Sequence, residues 1–268
     1  MPPYNGAFVS GFYDLSDPQN PTSFTVEKYT TAPLTTARAY SYEHVYENQM
    51  MTMFINDVIV PFFASVYNTS GCSATQEFVF RPWDGRIIAN DLRASMPGKP
   101  DTFPKLNQVA NMAKAAFISG KAFITTNNLQ KNKNASQIVY YLRQAALSIY
   151  YMQDITVERD FLAVSQAVRV IWIDFMGKYV ASQPPGAVNF DIANAYDTWI
   201  EHILGNYSIN ALSFIHAALP ILQNKFNGST SITVNTPLPC SSHTEIITYQ
   251  QMVNAFADGG IPYINWTP

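Results

Sequence analysis

Cys240, His243 and Glu245 fall within six residues in LPCSSHTE, the residue types from which a thiolate nucleophile, its base and an orienting carboxylate are built. A nucleophilic cysteine ordinarily meets its histidine through the fold rather than three residues along the chain, so this trio reads as a turn. His44 lies beside Glu43 and near Glu47, and His202 beside Glu201 and near Asp197. Two helices carrying carboxylate and imidazole could build a metal site in a bundle. The Glu-x-x-His spacing is missing, however, and adjacent Glu-His pairs face different directions on a helix. Ordinary solvated helix faces are expected, with no metal and no cofactor. No Gly-x-Ser-x-Gly elbow, phosphate-binding glycine loop, His-Glu-x-x-His or Cys-x-x-Cys pair is present. No catalytic residue is assigned, and the chain is not read as an enzyme.

The charge distribution points elsewhere. The net charge is -3, but residues 81–143 hold ten cations (Arg81, Arg86, Arg93, Lys99, Lys105, Lys114, Lys121, Lys131, Lys133, Arg143) against three acids, a balance of +7. The remaining six cations and sixteen acids give -10. Such a middle segment either neutralises acidic flanks or lines a groove for a polyanion, whose phosphates release counterions on binding. Lys114, Lys121, Lys131, Lys133 and Arg143 are the candidate phosphate contacts, chosen for charge density. Interleaved Phe103, Phe117, Phe123, Tyr140 and Tyr141 are either base-stacking platforms or core.

These residues must be positioned by helices. The 268 residues suffice for a substantial core. Only 13% are charged, against about 25% in an ordinary soluble domain, which favours self-association. The N-terminal residues lack a basic stretch followed by an apolar one, so no signal peptide is expected. No uninterrupted apolar run is long enough to suggest a transmembrane segment. Cys72 and Cys240 read as free thiols.

The spacing of apolar residues predicts a helix over 42–67 with a kink at Pro61. Further helices are expected over 105–119, 136–153, 157–182, 192–204 and 209–226, the second capped by Asn134 or Ser136, and a short one over 244–257. SFTVEKYT and QEFVFRPW read as strands and STSITVNTPLP as an extended segment. The fold class is therefore mainly α, a helical core over 41–226 with extended N- and C-terminal arms at 1–40 and 227–268 and a few short strands.

One stretch carries a resemblance. VRVIWIDFMGKYVASQPPGAVNFDIANAYDTWIEHI is similar to the central signature of flexible filamentous plant-virus coat proteins of the potexvirus kind: a Trp-bearing helix, a Pro-Pro-Ala step and an Ala-Phe-Asp-Phe-Phe-like element. Trp172, Pro184-Pro185 and Ala195-Tyr196-Asp197-Thr198-Trp199 take those places, with Tyr and Trp standing for two phenylalanines. CSSHTEIITYQQ is similar, more faintly, to a following Pro-Thr-x-x-Glu element. The resemblance implies a self-assembling capsid subunit, a homo-oligomer whose arms reach neighbours in a helical filament around single-stranded RNA, found in the virion and host cytoplasm. It implies that Asp197 is a buried aspartate paired with Arg159 or Arg169, and that Tyr196, Trp199 and Trp172 anchor packing. The alternative is a membrane-active, pore-forming or insecticidal toxin, suggested by low charge and amphipathic stretches such as INALSFIHAALPILQ.

Overall fold

Asn134 accepts a hydrogen bond from the Gln137 backbone N–H at 2.9 Å while the Gln137 side chain accepts from the Asn134 N–H at 3.1 Å, a reciprocal cap that starts the central helix. In the computed structural model, which describes residues 11–15, 26–30, 40–96, 103–226, 231–237 and 242–257 (backbone alone for 232–247 and 257), that helix is α7, Ala135–Met152. It is buried on almost every side from Leu142 to Ile149, which places it inside a bundle rather than on its surface. The protein is mainly α.

Around α7 pack α5 (Gln108–Ile118), α6 (Thr126–Asn132), α8 (Ile155–Ala181) and α9 (Ile192–Lys225). Asp154 starts α8 by accepting from the N–H groups of Thr156 at 2.9 Å and Val157 at 3.3 Å. α9 runs unbroken for 34 residues, about 51 Å at 1.5 Å per residue, where the sequence suggests two helices. Packing joins them: Leu204, Tyr207 and Ser208 at the expected break are buried, and the Tyr207 hydroxyl donates to Ser148 Oγ of α7 at 3.1 Å. Pro220 is tolerated inside α9 because it lies on the exposed side, where the carbonyl deprived of its N–H partner meets water.

The apolar stretch after Glu47 forms α1 (Asn48–Phe54), a π-helical turn (Ile55–Ile59) and α2 (Val60–Tyr67). Pro61 follows directly on the π-helical turn and lies inside a continuous helical run, since Ile59 and Val60 are themselves helical; the altered hydrogen-bond ladder of the π-helical turn accommodates its missing N–H. Asn68 ends α2 in the left-handed region at φ 51. Gly71 then reverses the chain at φ 75, and a Cβ there would lie 2.1 Å from the Val60 carbonyl oxygen, so only glycine fits. α3 (Cys72–Thr75), a second π-helical turn (Gln76–Phe80) and α4 (Ile88–Ser95) follow. QEFVF is thus not a strand. Its aromatic and β-branched residues suit one, but Val79 is buried and Phe78 stacks on Phe63 of α2 at 5.4 Å, and this contact overrides local propensity.

Four short strands cover one end of the bundle: β1 (Gly11–Leu15), β2 (Val26–Tyr29), β3 (Tyr40–Tyr42) and β4 (Pro104–Asn107), in the order β2-β1-β4-β3. β1 is antiparallel to β2 and parallel to β4, and β3 is antiparallel to β4. Tyr13 and Leu15 of β1 enter the same core as the helices. Residues 11–15 and 26–29, read as part of an arm, are therefore fixed to their own core. Beyond α9, β5 (Ser231–Pro237) and β6 (Ser242–Thr248) form an antiparallel hairpin against α7, followed by α10 (Tyr249–Ala257). The helix expected over 244–257 begins as strand. The arm assignments at 1–10, 16–25, 31–39 and 258–268, with Lys99 and Cys240, lie outside the described residues.

Among the described residues one helical stretch, Asn48–Tyr67, is long and apolar enough to cross a membrane, with mean hydropathy 1.5. Met50, Phe54, Ile59, Phe62 and Phe63 of it are core residues.

Candidate nucleic-acid interface

The aromatic joint between α8 and α9 is interior. Trp172 and Tyr196 are fully buried and Trp199 is 6% exposed. All three surround Phe54 of α1, at ring-centroid distances of 5.3, 5.1 and 5.2 Å. The Tyr196 hydroxyl bonds those of Tyr46 and Ser165, each at 3.1 Å, and Trp199 Nε1 donates to Asp57 Oδ2 at 3.1 Å. Burial pushes the Tyr196 phenol far above its ordinary range. No ring of this joint is offered to a ligand.

Asp197, one residue on, turns outward. Arg169 grips it with two parallel hydrogen bonds, Nε to Oδ1 at 2.7 Å and Nη2 to Oδ2 at 2.8 Å. Arg159 does not contribute; it is exposed and bonds the neighbouring Asp160 at 3.0 Å. The expectation of a buried aspartate also needs correction, because the Arg169 and Asp197 side chains are 26% and 31% exposed. Water screens the pair, and we expect Asp197→Ala to cost about 1 kcal/mol, a fall in Tm of about 2–4 °C in a domain of this size. Calorimetry checks this, and a loss above about 3 kcal/mol would mean that the pair is far less hydrated than its exposure indicates.

Two of the five candidate phosphate contacts are corrected by burial. Arg143 is 4% exposed, and its charge acts on Asp14, another buried group. Burial pushes the Asp14 carboxyl up, while hydrogen bonds from Tyr40 at 2.5 Å and the Leu15 N–H at 2.8 Å, with the Arg143 charge, pull it back. Lys114 is fully buried. Its Nζ meets Glu43, donates to the His44 carbonyl at 2.8 Å and lies 3.1 Å from Glu47 Oε1. Charge density in sequence is blind to this, because it does not show that α5 packs against the joint before α1.

Burial pulls the Lys114 ammonium well below its ordinary range, whereas the Glu43 and Glu47 carboxylates against its Nζ favour the charged form; with the ammonium charged the cluster holds one cation and two carboxylates, and a further proton neutralises it. Glu47 takes that proton: burial pushes its carboxyl up from the ordinary 4.5 to about 7, while Glu43 meets the ammonium directly. The folded carboxyl is then the stronger proton holder. This stabilisation is full below about pH 4.5 and is lost as pH rises through about 7, an effect with a ceiling of about 3.4 kcal/mol. Denaturant titrations across that window should show stability falling for the native chain and a flatter profile for Glu47→Gln; equal slopes would remove Glu47 as the source.

The other candidates reach the surface. Lys121 and Lys131 are exposed and Lys133 half-buried, the last with its Nζ 5.4 Å from the centre of the Tyr141 ring. Phe123 meets the Tyr141 ring edge to face at 5.8 Å, so an aromatic ridge runs between the Lys121 loop and Lys133. Of the interleaved aromatics, Phe123, Tyr140 and Tyr141 are half-buried, whereas Phe103 and Phe117 are 5% and 1% exposed and cannot stack a base. Lys225 near the end of α9 joins this surface by donating to the Gln130 carbonyl of α6 at 2.6 Å.

The surroundings intensify the charge. Residues 102–153 and 202–244 contain no Asp or Glu, so α5, α6, α7 and the last two-thirds of α9, which pack together, bring lysines to the surface and no carboxylate. Elsewhere three cations on the α3–α4 side of the fold are held by carboxylates: Arg81 by Glu77 at 3.2 Å, Arg86 by Asp91 at 2.8 Å and Asp174 at 2.5 Å, and Lys178 by Asp84 at 3.1 Å. Lys105 lies over the Phe12 and Tyr42 rings at 4.8 and 5.3 Å.

Lys225 is the member that sequence reasoning passes over, since it lies far outside the basic segment; the long acid-free run leading to it was the available signal. Among the described residues no cluster of three or more His, Cys, Asp or Glu side chains could hold a metal. Compared with known proteins, the chain matches no family model, no curated protein and no solved structure.

Proposed function

We propose that the protein is a self-assembling coat or nucleocapsid subunit that packages single-stranded RNA, working in the virion and host cytoplasm. The observation that carries this reading is the acid-free set of packed helices presenting Lys121, Lys131, Lys133 and Lys225 beside Phe123 and Tyr141. Phosphate neutralisation needs cations without competing carboxylates and no particular base sequence. Self-association is supported by the low charged fraction. The resemblance around the Pro-Pro step and Asp197 points the same way.

Negative-stain microscopy of the purified protein, with and without polyuridylate, together with the 260-to-280 nm absorbance ratio, tests the proposal. Filaments or shells carrying nucleic acid are expected. Monodisperse particles with no affinity for polyuridylate at low salt would overturn it.

A membrane-active reading rests on the apolar stretch Asn48–Tyr67. Insertion would require withdrawing Phe54, Phe62 and Phe63 from the core, at about 1.5–3 kcal/mol for each side chain exposed on the way. Vesicle leakage by the intact protein would favour that reading.

A further inference from the structure

Between α1, the two π-helical turns and α4 lies a groove of about 340 Å³, within the range of small-molecule sites. Met51, Ile55, Val60, Phe80 and Leu92 make it predominantly apolar. Both π-helical turns line it, through Ile55 and Asn56 of one and Gln76 and Phe80 of the other. Such turns cost hydrogen-bond geometry and recur at functional sites. Phe80 stands 50% exposed at its edge.

A second observation is independent of the groove's shape. Thr75, which lines it, is only 4% exposed, and its hydroxyl has no hydrogen-bond partner. A buried hydroxyl without a partner is costly and calls for an explanation. Thr75 lines the groove, and a turn about its χ1 would bring the hydroxyl to a ligand oxygen that supplies one. Arg93, also in the lining, is exposed and has no ion pair among the described residues. Apolar walls, an orphan hydroxyl and an unpaired guanidinium together describe an elongated apolar molecule with an anionic oxygen head.

We propose that this groove binds a small amphiphilic carboxylate, its acyl chain along Met51, Ile55, Phe80 and Leu92 and its carboxylate accepting from Arg93 and the Thr75 hydroxyl. The site is separate from the lysine surface and does not depend on RNA binding. The free acid, rather than a lipid surface, is the source expected, because the groove takes one chain.

Cys72 reports on the site, since its thiol is free, exposed and part of the lining. The test is alkylation of Cys72, followed by peptide mapping so that Cys240 does not interfere, on the full chain titrated with decanoate below its micelle concentration. Saturable one-to-one protection, with a matching rise in Tm, is expected. Decanol and the Arg93→Gln variant should each bind about tenfold more weakly, the value of a charge-assisted hydrogen bond. Ala89→Leu, which fills the groove from a half-buried lining position, should abolish protection while keeping the unliganded Tm. Thr75→Val should raise the unliganded Tm, by removing the orphan hydroxyl, and reduce the shift that decanoate produces. Equal protection by decanol and decanoate would overturn the carboxylate assignment. Protection by phosphatidylcholine vesicles without saturable decanoate binding, or unchanged binding in Ala89→Leu, would overturn the site.

Discussion

Lys114→Met is expected to destabilise the fold by about 3–5 kcal/mol, the cost of leaving buried carboxylates without their cation. Lys114 is fully buried, Glu43 is 1% exposed and the Glu47 side chain 16%, so solvent does not reach Glu43 and only partly relieves Glu47 once the ammonium is gone. The cation also holds the His44 carbonyl, so its loss loosens the chain between β3 and α1 from α5. Urea denaturation at pH 7 measures this, and a loss below about 1 kcal/mol, the range of surface pairs, would show that the cluster is hydrated. The combined change Glu43→Gln, Glu47→Gln and Lys114→Met should recover much of the deficit, because it removes the charges together. Lys114→Met protein that remains folded should keep its full affinity for polyuridylate, since Lys114 has no route to the surface. That result separates the structural lysine from the binding ones, which share its segment and its charge.

What was legible in the sequence follows the range of the signal. Helix periodicity and caps are local, and α7 and α8 lie within two residues of the spans that apolar spacing suggests, with Asn134 at the cap. The QEFVF turn and the continuity of α9 were not legible, because each is decided by a distant partner: Phe78 by Phe63, and Tyr207 by Ser148 of α7. The same division governs the site. The excess of lysine in the middle segment is a matter of counting. Which lysines face water depends on packing: Lys114 and Arg143 go inside, while Lys225, more than eighty residues beyond Arg143, comes to the surface beside α6. The Asp197–Arg169 pair spans two helices through a 28-residue separation, and sequence alone supplies two candidate arginines without a means of choosing.

Reversing all four surface charges, in Lys121→Glu, Lys131→Glu, Lys133→Glu and Lys225→Glu combined, is expected to abolish measurable binding to polyuridylate while leaving the helical fold intact. Each neutralised phosphate on a single strand contributes about -0.7 to the slope of log affinity against log salt, so four contacts give about -2.8. Native affinity should then fall about fifty-fold between 50 and 200 mM salt. The variant has neither the contacts nor the slope, and its four new carboxylates repel the strand from a surface whose own helices supply no acid. Two of the lysines have intramolecular contacts, Lys133 with the Tyr141 ring and Lys225 with the Gln130 carbonyl, so circular dichroism and Tm must accompany the binding curve; exposed contacts of this kind cost about 1 kcal/mol or less each. Lys178→Glu is the control, because Lys178 is held by Asp84 and Asp174 on a different part of the fold, and the salt slope should not change. A quadruple variant that folds and binds with the native slope would place the RNA surface elsewhere, whereas loss of binding in Lys178→Glu as well would mean that net charge, rather than the acid-free face, controls the interaction.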